Sequence, residues 1–299
     1  MARSLTVALV ACVTAFVGLS GCNHNVQPRD GDLRVVTYNV ARGYAVDLED
    51  ASAWRALLPS SMSLKSVLSN HPGVCDFDVL ALQELCGDRD GAHLRYFRKI
   101  AGRSGRTWMV FKRADPKRPG SCAEGVAIIS RLPIVASGSI LLPNVATMRR
   151  TAVWADIRVD HPSGSRIVRV YNVHLDARAK RVDSAKGRAL QIGAIIDHHD
   201  DWRRKAGAKD ASLVVGDFNT LEDDEPVLDR LVKIFKPALP VDTSTHWLGW
   251  QLDRVFFDGL ERRRARALRI PLSDHYPVTV DFDFPRPSAP SHTKVAAGP

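Results

Sequence analysis

The stretch Leu213-Val214-Val215-Gly216-Asp217-Phe218-Asn219 joins a short apolar run to a polar end. Three branched aliphatic residues bounded by turn formers read as a strand buried on both faces. The polar end, taken alone, is equally a plain turn, because Gly, Asp and Asn all favour turns. Recurrence lifts it above that reading. Leu33–Val40 contains Tyr38-Asn39, Phe77–Gln83 runs into Glu84, and Ile167–His174 carries Asn172 and His174. Leu252–Phe257 begins beside Asp253 and Arg254, and Ser273-Asp274-His275 precedes Val278–Phe282. Thr107–Phe111, Val126–Ser130 and Ala152–Val159 are further expected strands. Strands that carry carboxylates, amides and imidazoles to one edge build a pre-organised site.

Helical segments are expected between the strands: one capped by Asp47 and starting near Leu48, then Ser63–Leu68, Ala92–Ala101, Ser184–His198 and Glu225–Phe235. Many short strands with interspersed helices predict an α/β four-layer sandwich, in which two packed, mostly antiparallel or mixed β-sheets are flanked by helices. No internal repeat or linker divides residues 32–284, so they are expected to form one domain. The 299 residues, 45% hydrophobic and 25% charged, suffice for a sizeable core and exclude a disordered or fibrous class. The formal charge of +9 raises the prospect of a polyanionic partner, although most of the arginines are scattered. The one dense run is Arg262, Arg263, Arg264, Arg266 and Arg269.

Residues 1–22 read as a targeting segment. Arg3 supplies a positive start, and Leu5 to Leu19 is apolar but short for a membrane span. Leu19-Ser20-Gly21-Cys22 resembles the bacterial lipoprotein signal, in which the cysteine is lipidated. A plain secretory signal or an uncleaved anchor is the alternative. The expectation is an exported, membrane-anchored lipoprotein, periplasmic or on the cell surface, with residues 23–31 as a tether and 285–299 as a disordered tail. Export to an oxidising compartment leaves Cys75, Cys86 and Cys122. Cys86–Cys122 is the favoured disulfide, since both sit in loops beside expected strands. Three free thiols are the alternative.

The chemistry accounts for the residue types at the strand ends. A phosphate ester is anionic and repels nucleophiles. Mg2+ or Mn2+, with Ca2+ a further candidate, neutralises it and takes hard oxygen ligands. A histidine oriented by a carboxylate can take a proton from water. A second histidine and an arginine can stabilise the transition-state charge.

Six stretches in order resemble the endonuclease/exonuclease/phosphatase (deoxyribonuclease I-like) superfamily. They are Thr37-Tyr38-Asn39-Val40, Leu82-Gln83-Glu84, Asn172-Val173-His174-Leu175, Gly216-Asp217-Phe218-Asn219, Leu252-Asp253-Arg254 and Ser273-Asp274-His275-Tyr276-Pro277-Val278. The resemblance implies a divalent-metal-dependent phosphoester hydrolase acting by in-line attack of water. It implies Glu84 as principal metal ligand assisted by Asn39, and Asp274 at the metal or supporting the catalytic network. Asp217 and Asn219 would orient water or bind phosphate, and some members place a second metal there. His275 would be the base held by Asp253, with His174 on the phosphate, although the base assignment between the two histidines differs with the mechanistic scheme adopted. Arg150, in Met148-Arg149-Arg150-Thr151, matches a phosphate-contacting arginine loosely, and Arg149 nearly as well. His198 and His199 with Asp197 and Asp200 mimic a metal cluster but read as the solvated end of a helix.

The substrate is left open between three classes and one inactive alternative. A nuclease or general phosphodiesterase ranks first. A sphingomyelinase- or phospholipase C-type phosphodiesterase comes second, and a small-molecule phosphatase third. A catalytically inactive binding module is the reading from another class. Specificity is expected in three loops: Lys112–Cys122, Thr243–Trp250 with its two tryptophans, and Gly259–Ile270 with the arginine run. A monomer is expected.

Overall fold

A computed structural model of the chain describes residues 32–41, 74, 76–86, 108–114, 124–144, 149–162, 164–177, 182–207, 210–223, 225–270 and 273–285. The targeting segment, the tether, the tail beyond residue 285, Cys22, Cys75, Cys122 and the proposed Cys86–Cys122 bond lie outside the described residues. So do the expected helices near Leu48, at Ser63–Leu68 and at Ala92–Ala101.

Twelve strands are described. They are β1 (Leu33–Asn39), β2 (Val79–Cys86), β3 (Trp108–Arg113), β4 (Glu124–Ser130), β5 (Ile134–Leu141), β6 (Thr151–His161), β7 (Gly164–His174), β8 (Ala211–Asp217), β9 (Lys236–Pro237), β10 (Asp253–Asp258), β11 (Glu261–Ala267) and β12 (Val278–Asp283). Helix α1 (Val182–Arg203) precedes β8 and α2 (Pro226–Leu231) follows it. The strands form two six-stranded sheets, ordered β11-β12-β1-β2-β4-β3 and β5-β6-β7-β8-β10-β9. Each sheet has one parallel pair at its centre, β1 with β2 and β7 with β8, and antiparallel pairs elsewhere. The mixed two-sheet sandwich is the architecture expected from the sequence.

Strand alternation explains why the central runs are apolar throughout. Leu33, Val35, Val79, Ala81, Val168, Val170, Leu213 and Val215 meet between the sheets. Their neighbours Val36, Tyr38, Leu80 and Leu82 pack on the outer side of the first sheet. Tyr171, Val173 and Val214 pack on the outer side of the second, against Ile192 and Ile195 of α1 and Leu228 of α2. Strands covered on both faces lose the polar–apolar alternation of a half-exposed strand. Each fully buried Val, Leu or Ile side chain among them contributes roughly 1.5–3 kcal/mol.

Three strands escape the apolar-run criterion. β5 is an edge strand exposed along most of its length, and β9 is only two residues long. β11 carries Arg262, Arg263, Arg264 and Arg266 of the arginine run, which is expected from the sequence in a site-facing loop. Ala265 and Ala267 pack toward the core, while Arg262, Arg263 and Arg264 are exposed on this edge strand. Charged edge strands resist pairing with other chains. The paired histidines also differ from expectation. α1 continues past them to Arg203, and His199 is buried, bonding Ser212 Oγ through Nε2 at 3.0 Å and packing on Phe235 at 4.8 Å. His198 Nδ1 lies 3.0 Å from the Tyr171 hydroxyl. They fasten the helix to the sheet rather than ending it in solvent.

One buried polar clamp joins the two sheets near the candidate site. The β2–β4 register shifts between Leu82 and Leu85, a bulge that interrupts the ladder. Asn172 reaches across from β7, and its Nδ2 donates to Leu82 O (2.9 Å) and Ala127 O (2.8 Å). Gln83 Nε2 donates to Asn172 Oδ1 (2.6 Å) and Thr37 Oγ1 (2.9 Å). Replacing Asn172 by leucine strands two carbonyls and an amide in the core. The expected loss is on the order of 3 kcal/mol in urea unfolding; an unchanged midpoint would show that the clamp contributes nothing.

Candidate active site

The sheets align so that the ends of β1, β2, β7 and β8 and the beginnings of β10 and β12 share one edge. Asp217, at the end of β8, is the hub. It pairs in register with His174 of β7 and Asp253 of β10. Its Oδ2 accepts from Asn39 Nδ2 across the sandwich at 2.9 Å, and its Oδ1 accepts from the Asn219 backbone N–H at 2.9 Å. The same Asn39 nitrogen lies 3.4 Å from Glu84 Oε1, while Asn39 Oδ1 accepts from the Ala41 N–H at 3.0 Å. Asn219 Nδ2 donates to Leu175 O at 3.1 Å.

The backbone is strained at this edge. Glu84 (φ 53°), Asn219 (φ 52°) and Ala41 (φ 46°) are the described non-glycine residues with left-handed backbone. Such conformations cost of order 1–3 kcal/mol and cluster where a side chain must be aimed. At Glu84 the cause is visible: the β2 bulge turns its carboxylate toward Asn39.

Three histidines meet here, and their partners settle which nitrogen carries a proton. Arg150 Nη1 can only donate, so His174 Nδ1 accepts at 3.1 Å and the proton sits on Nε2. That Nε2 faces Asp217 Oδ2 (3.6 Å) and Glu84 Oε1 (3.8 Å). The Leu248 N–H donates to His246 Nδ1 at 3.2 Å, so His246 is also protonated on Nε2, which lies 3.7 Å from Asp274 Oδ2. His275 is wired the opposite way. Its Nδ1–H donates to buried Asp253 Oδ2 at 2.7 Å, and its Nε2 faces Asp217 Oδ2 at 3.7 Å. His275 therefore presents the nitrogen that can gain and lose a proton.

The surrounding carboxylates set the charge of this pair. Burial opposes a charge on His275, but the carboxylates of Asp253 and Asp217 outweigh it and hold its pKa above the ordinary histidine value. Burial pushes Asp253 up, with His275 pulling against it. Asp274 is held down to about 2, first by His246, against its own burial, and further by His275 and Ser273.

Ligand-capable atoms within 4.8 Å of one another form three groups among the described residues: Glu84, Glu124 and His174; Asp217, Asp253 and His275; and His246, Asp274 and His275. A metal-bound imidazole donates from its other nitrogen. His174 and His246 accept there, which leaves the carboxylates as the metal-suited atoms in their groups.

Asn39, Glu84, His174, Asp217, Asn219, Asp253, Asp274 and His275 thus share one edge, with two refinements. Asp274 groups with His246 and His275, not with Glu84. Arg150 is buried, and its Nη1 lies 3.3 Å from Glu124 Oε1 beside His174, so it braces the histidine. Sequence reasoning missed Glu124 and His246. Glu124 was within reach, because β4 runs antiparallel to β2 and its first residue falls at the edge where Glu84 ends. His246 carried no such signal. It sits in an irregular loop, joined to His275 by an isolated bridge.

Comparison with known proteins agrees with this geometry. Residues 36–275 match the endonuclease/exonuclease/phosphatase family. The UPF0294 protein VV2535 of Vibrio vulnificus (strain YJ016) is 35% identical over 79 residues, which are 25% of this chain and 28% of that protein. The match therefore spans little more than a quarter of that relative. The human Nocturnin catalytic domain is similar in fold, with a TM-score of 0.62 and 21% identity, covering 86% of this chain and 96% of that one. ANGEL2, a 2′,3′-cyclic phosphatase solved with adenosine-2′,3′-vanadate, has a TM-score of 0.63 and 16% identity, covering 84% of this chain and 95% of that one. With a match that runs from β1 through His275, and with the six sequence stretches meeting at one edge, the chain belongs to the endonuclease/exonuclease/phosphatase family.

Proposed function

We propose that the chain is a divalent-metal-dependent phosphodiesterase, of nuclease or general phosphodiesterase type, that hydrolyses its ester by in-line attack of water. The observation that carries this reading is the His275–Asp253 pair, whose Nε2 opens onto Asp217 beside the Asn39–Glu84 corner. The residues fit a hard cation. Glu84, Glu124, Asp217, Asp253 and Asp274 gather their carboxylates around this edge, a donor set suited to Mg2+ or Mn2+. Glu84 would hold the ion, with Asn39 beside it. When bound, such an ion supplies neutralisation of the phosphate charge and offsets part of the negative field that keeps His275 protonated.

The chain's own groups do the rest. His275 Nε2 takes the proton of the attacking water, and Asp253 stabilises the imidazolium that results. Asp217, fixed by Asn39 and Asn219, orients the water. His174 donates from Nε2 to a phosphoryl oxygen, its tautomer held by Arg150.

One observation favours a second reading, a phospholipase C-type enzyme. Trp247, Leu248 and Trp250 are 52%, 48% and 39% exposed in the loop that bonds to Asp274. Exposed indoles suit a lipid interface. A substrate panel separates the readings: plasmid DNA, RNA, bis-nitrophenyl phosphate, sphingomyelin vesicles and inositol phosphates. Turnover of nucleic acid and bis-nitrophenyl phosphate is expected. Turnover confined to sphingomyelin would favour the lipid enzyme, and turnover confined to monoesters would remove the phosphodiesterase reading.

A further inference from the structure

The loop 243–250 is fastened to the catalytic edge by hydrogen bonds of Thr245 and Trp247, the residues on either side of His246. Trp247 N donates to Asp274 O (2.9 Å), and Tyr276 N donates to Thr245 O (2.7 Å). Thr245 Oγ1 in turn accepts from the Asp253 N–H at 2.9 Å. The buried His246 ring stands edge-to-face against the His275 ring, with centroids 5.0 Å apart. Trp250 stacks on it from another side, at 5.3 Å and 15°. Because Leu248 N–H occupies Nδ1, the proton sits on Nε2, which lies 3.7 Å from Asp274 Oδ2.

Asp253 fixes one nitrogen of His275, which leaves rotation about that bond to be limited by what stands beside the ring. His246 is such a neighbour, and its Nε2 also lies 3.7 Å from the carboxylate of Asp274, next to His275 in sequence. We propose that His246 is a positioning residue of the reaction: its ring and its Nε2–H set the orientation of His275 and Asp274, so that the base faces Asp217. This inference rests on the phosphoester-hydrolase reading of the same site, with His275 as base. It gives the Thr243–Trp250 loop a part in turnover beyond substrate contact.

Asparagine and glutamine separate the contributions of the two His246 nitrogens. Asparagine at 246 can keep an acceptor for the Leu248 N–H, near the Nδ1 position. Glutamine can place a donor near the Nε2 position. For His246→Ala, kcat on bis-nitrophenyl phosphate is expected to fall about 10- to 100-fold, as for a slightly misplaced catalytic group. KM should stay nearly constant, since ground-state binding is not what is lost. His246→Gln should recover most of that loss, and His246→Asn should not. A merely structural role predicts instead that all three variants lose activity in step with melting temperature, and that result would overturn the proposal, as would full turnover by His246→Ala.

A second measurement does not need turnover. The Nδ1 proton of His275, bonded to Asp253, is expected as a sharp downfield NMR signal in the wild-type protein and in His246→Gln. In His246→Ala it should broaden or vanish. A signal unchanged in His246→Ala overturns the positioning role whatever the assays give, whereas an inactive wild-type protein with the expected spectra removes the hydrolase reading alone.

Discussion

Replacing His275 by alanine is expected to lower kcat by about 10²- to 10⁴-fold, the range a general base contributes. The wiring of the three imidazoles is the reason. Among the three histidines at the edge, His174 and His246 each accept on Nδ1 and so keep a proton on Nε2, while His275 donates from Nδ1 to Asp253. Only His275 can alternate between proton acceptor and donor at the nitrogen facing Asp217. Alanine also leaves the buried Asp253 carboxylate without its partner, which destabilises by roughly 3–5 kcal/mol unless the acid takes up a proton. Asparagine separates the two effects, because its amide can still donate to Asp253 but offers no base toward Asp217. His275→Asn should therefore melt nearer to wild type and be as inactive as His275→Ala. Near-normal turnover by the asparagine variant would show that the base lies elsewhere, with His174 the next candidate.

The second large effect concerns Gly216. Its φ of +133° lies in a region that side-chain-bearing residues rarely adopt. A Cβ there would stand 2.0 Å from Val173 O and 3.0 Å from the Val173 N and C atoms. All three are backbone atoms of the neighbouring strand, so no rotamer change relieves the clash. Gly216→Ala must push β8 off β7 at the register pair that sets His174 beside Asp217. The expected outcome is little soluble protein, or a loss above about 4 kcal/mol in denaturant unfolding, together with loss of turnover. A Gly216→Ala protein with wild-type stability would mean that this approach of the two strands is not needed.

The same glycine illustrates what the sequence could say. Leu213-Val214-Val215 announced a doubly buried strand, and Gly216-Asp217-Phe218-Asn219 announced a break; the need for Gly216 in particular came only with the position of Val173. The central strands were legible because both their faces are apolar. β11 was not, since an edge strand with alanines inward and arginines outward has no apolar run to find. At the site, the residues on strand ends could be read because a strand's end point is nearly a position in space. Asn172 was noted among them, yet its amide serves the β2 bulge and the join between sheets. His246 was invisible for the opposite reason. Its relation to Asp274 and His275 is made by a loop packing against another loop, and no local periodicity encodes such a contact.

The proposed reaction is hydrolysis of a phosphodiester at this edge with a divalent ion held by its carboxylates. Its most direct test is bis-nitrophenyl phosphate hydrolysis by the purified protein, measured before chelation, after exhaustive chelation, and after return of Mg2+ or Mn2+. Activity that disappears on chelation and returns with either ion in the wild type, but in neither case with Glu84→Ala, is the predicted result. Turnover that survives chelation unchanged would contradict the account.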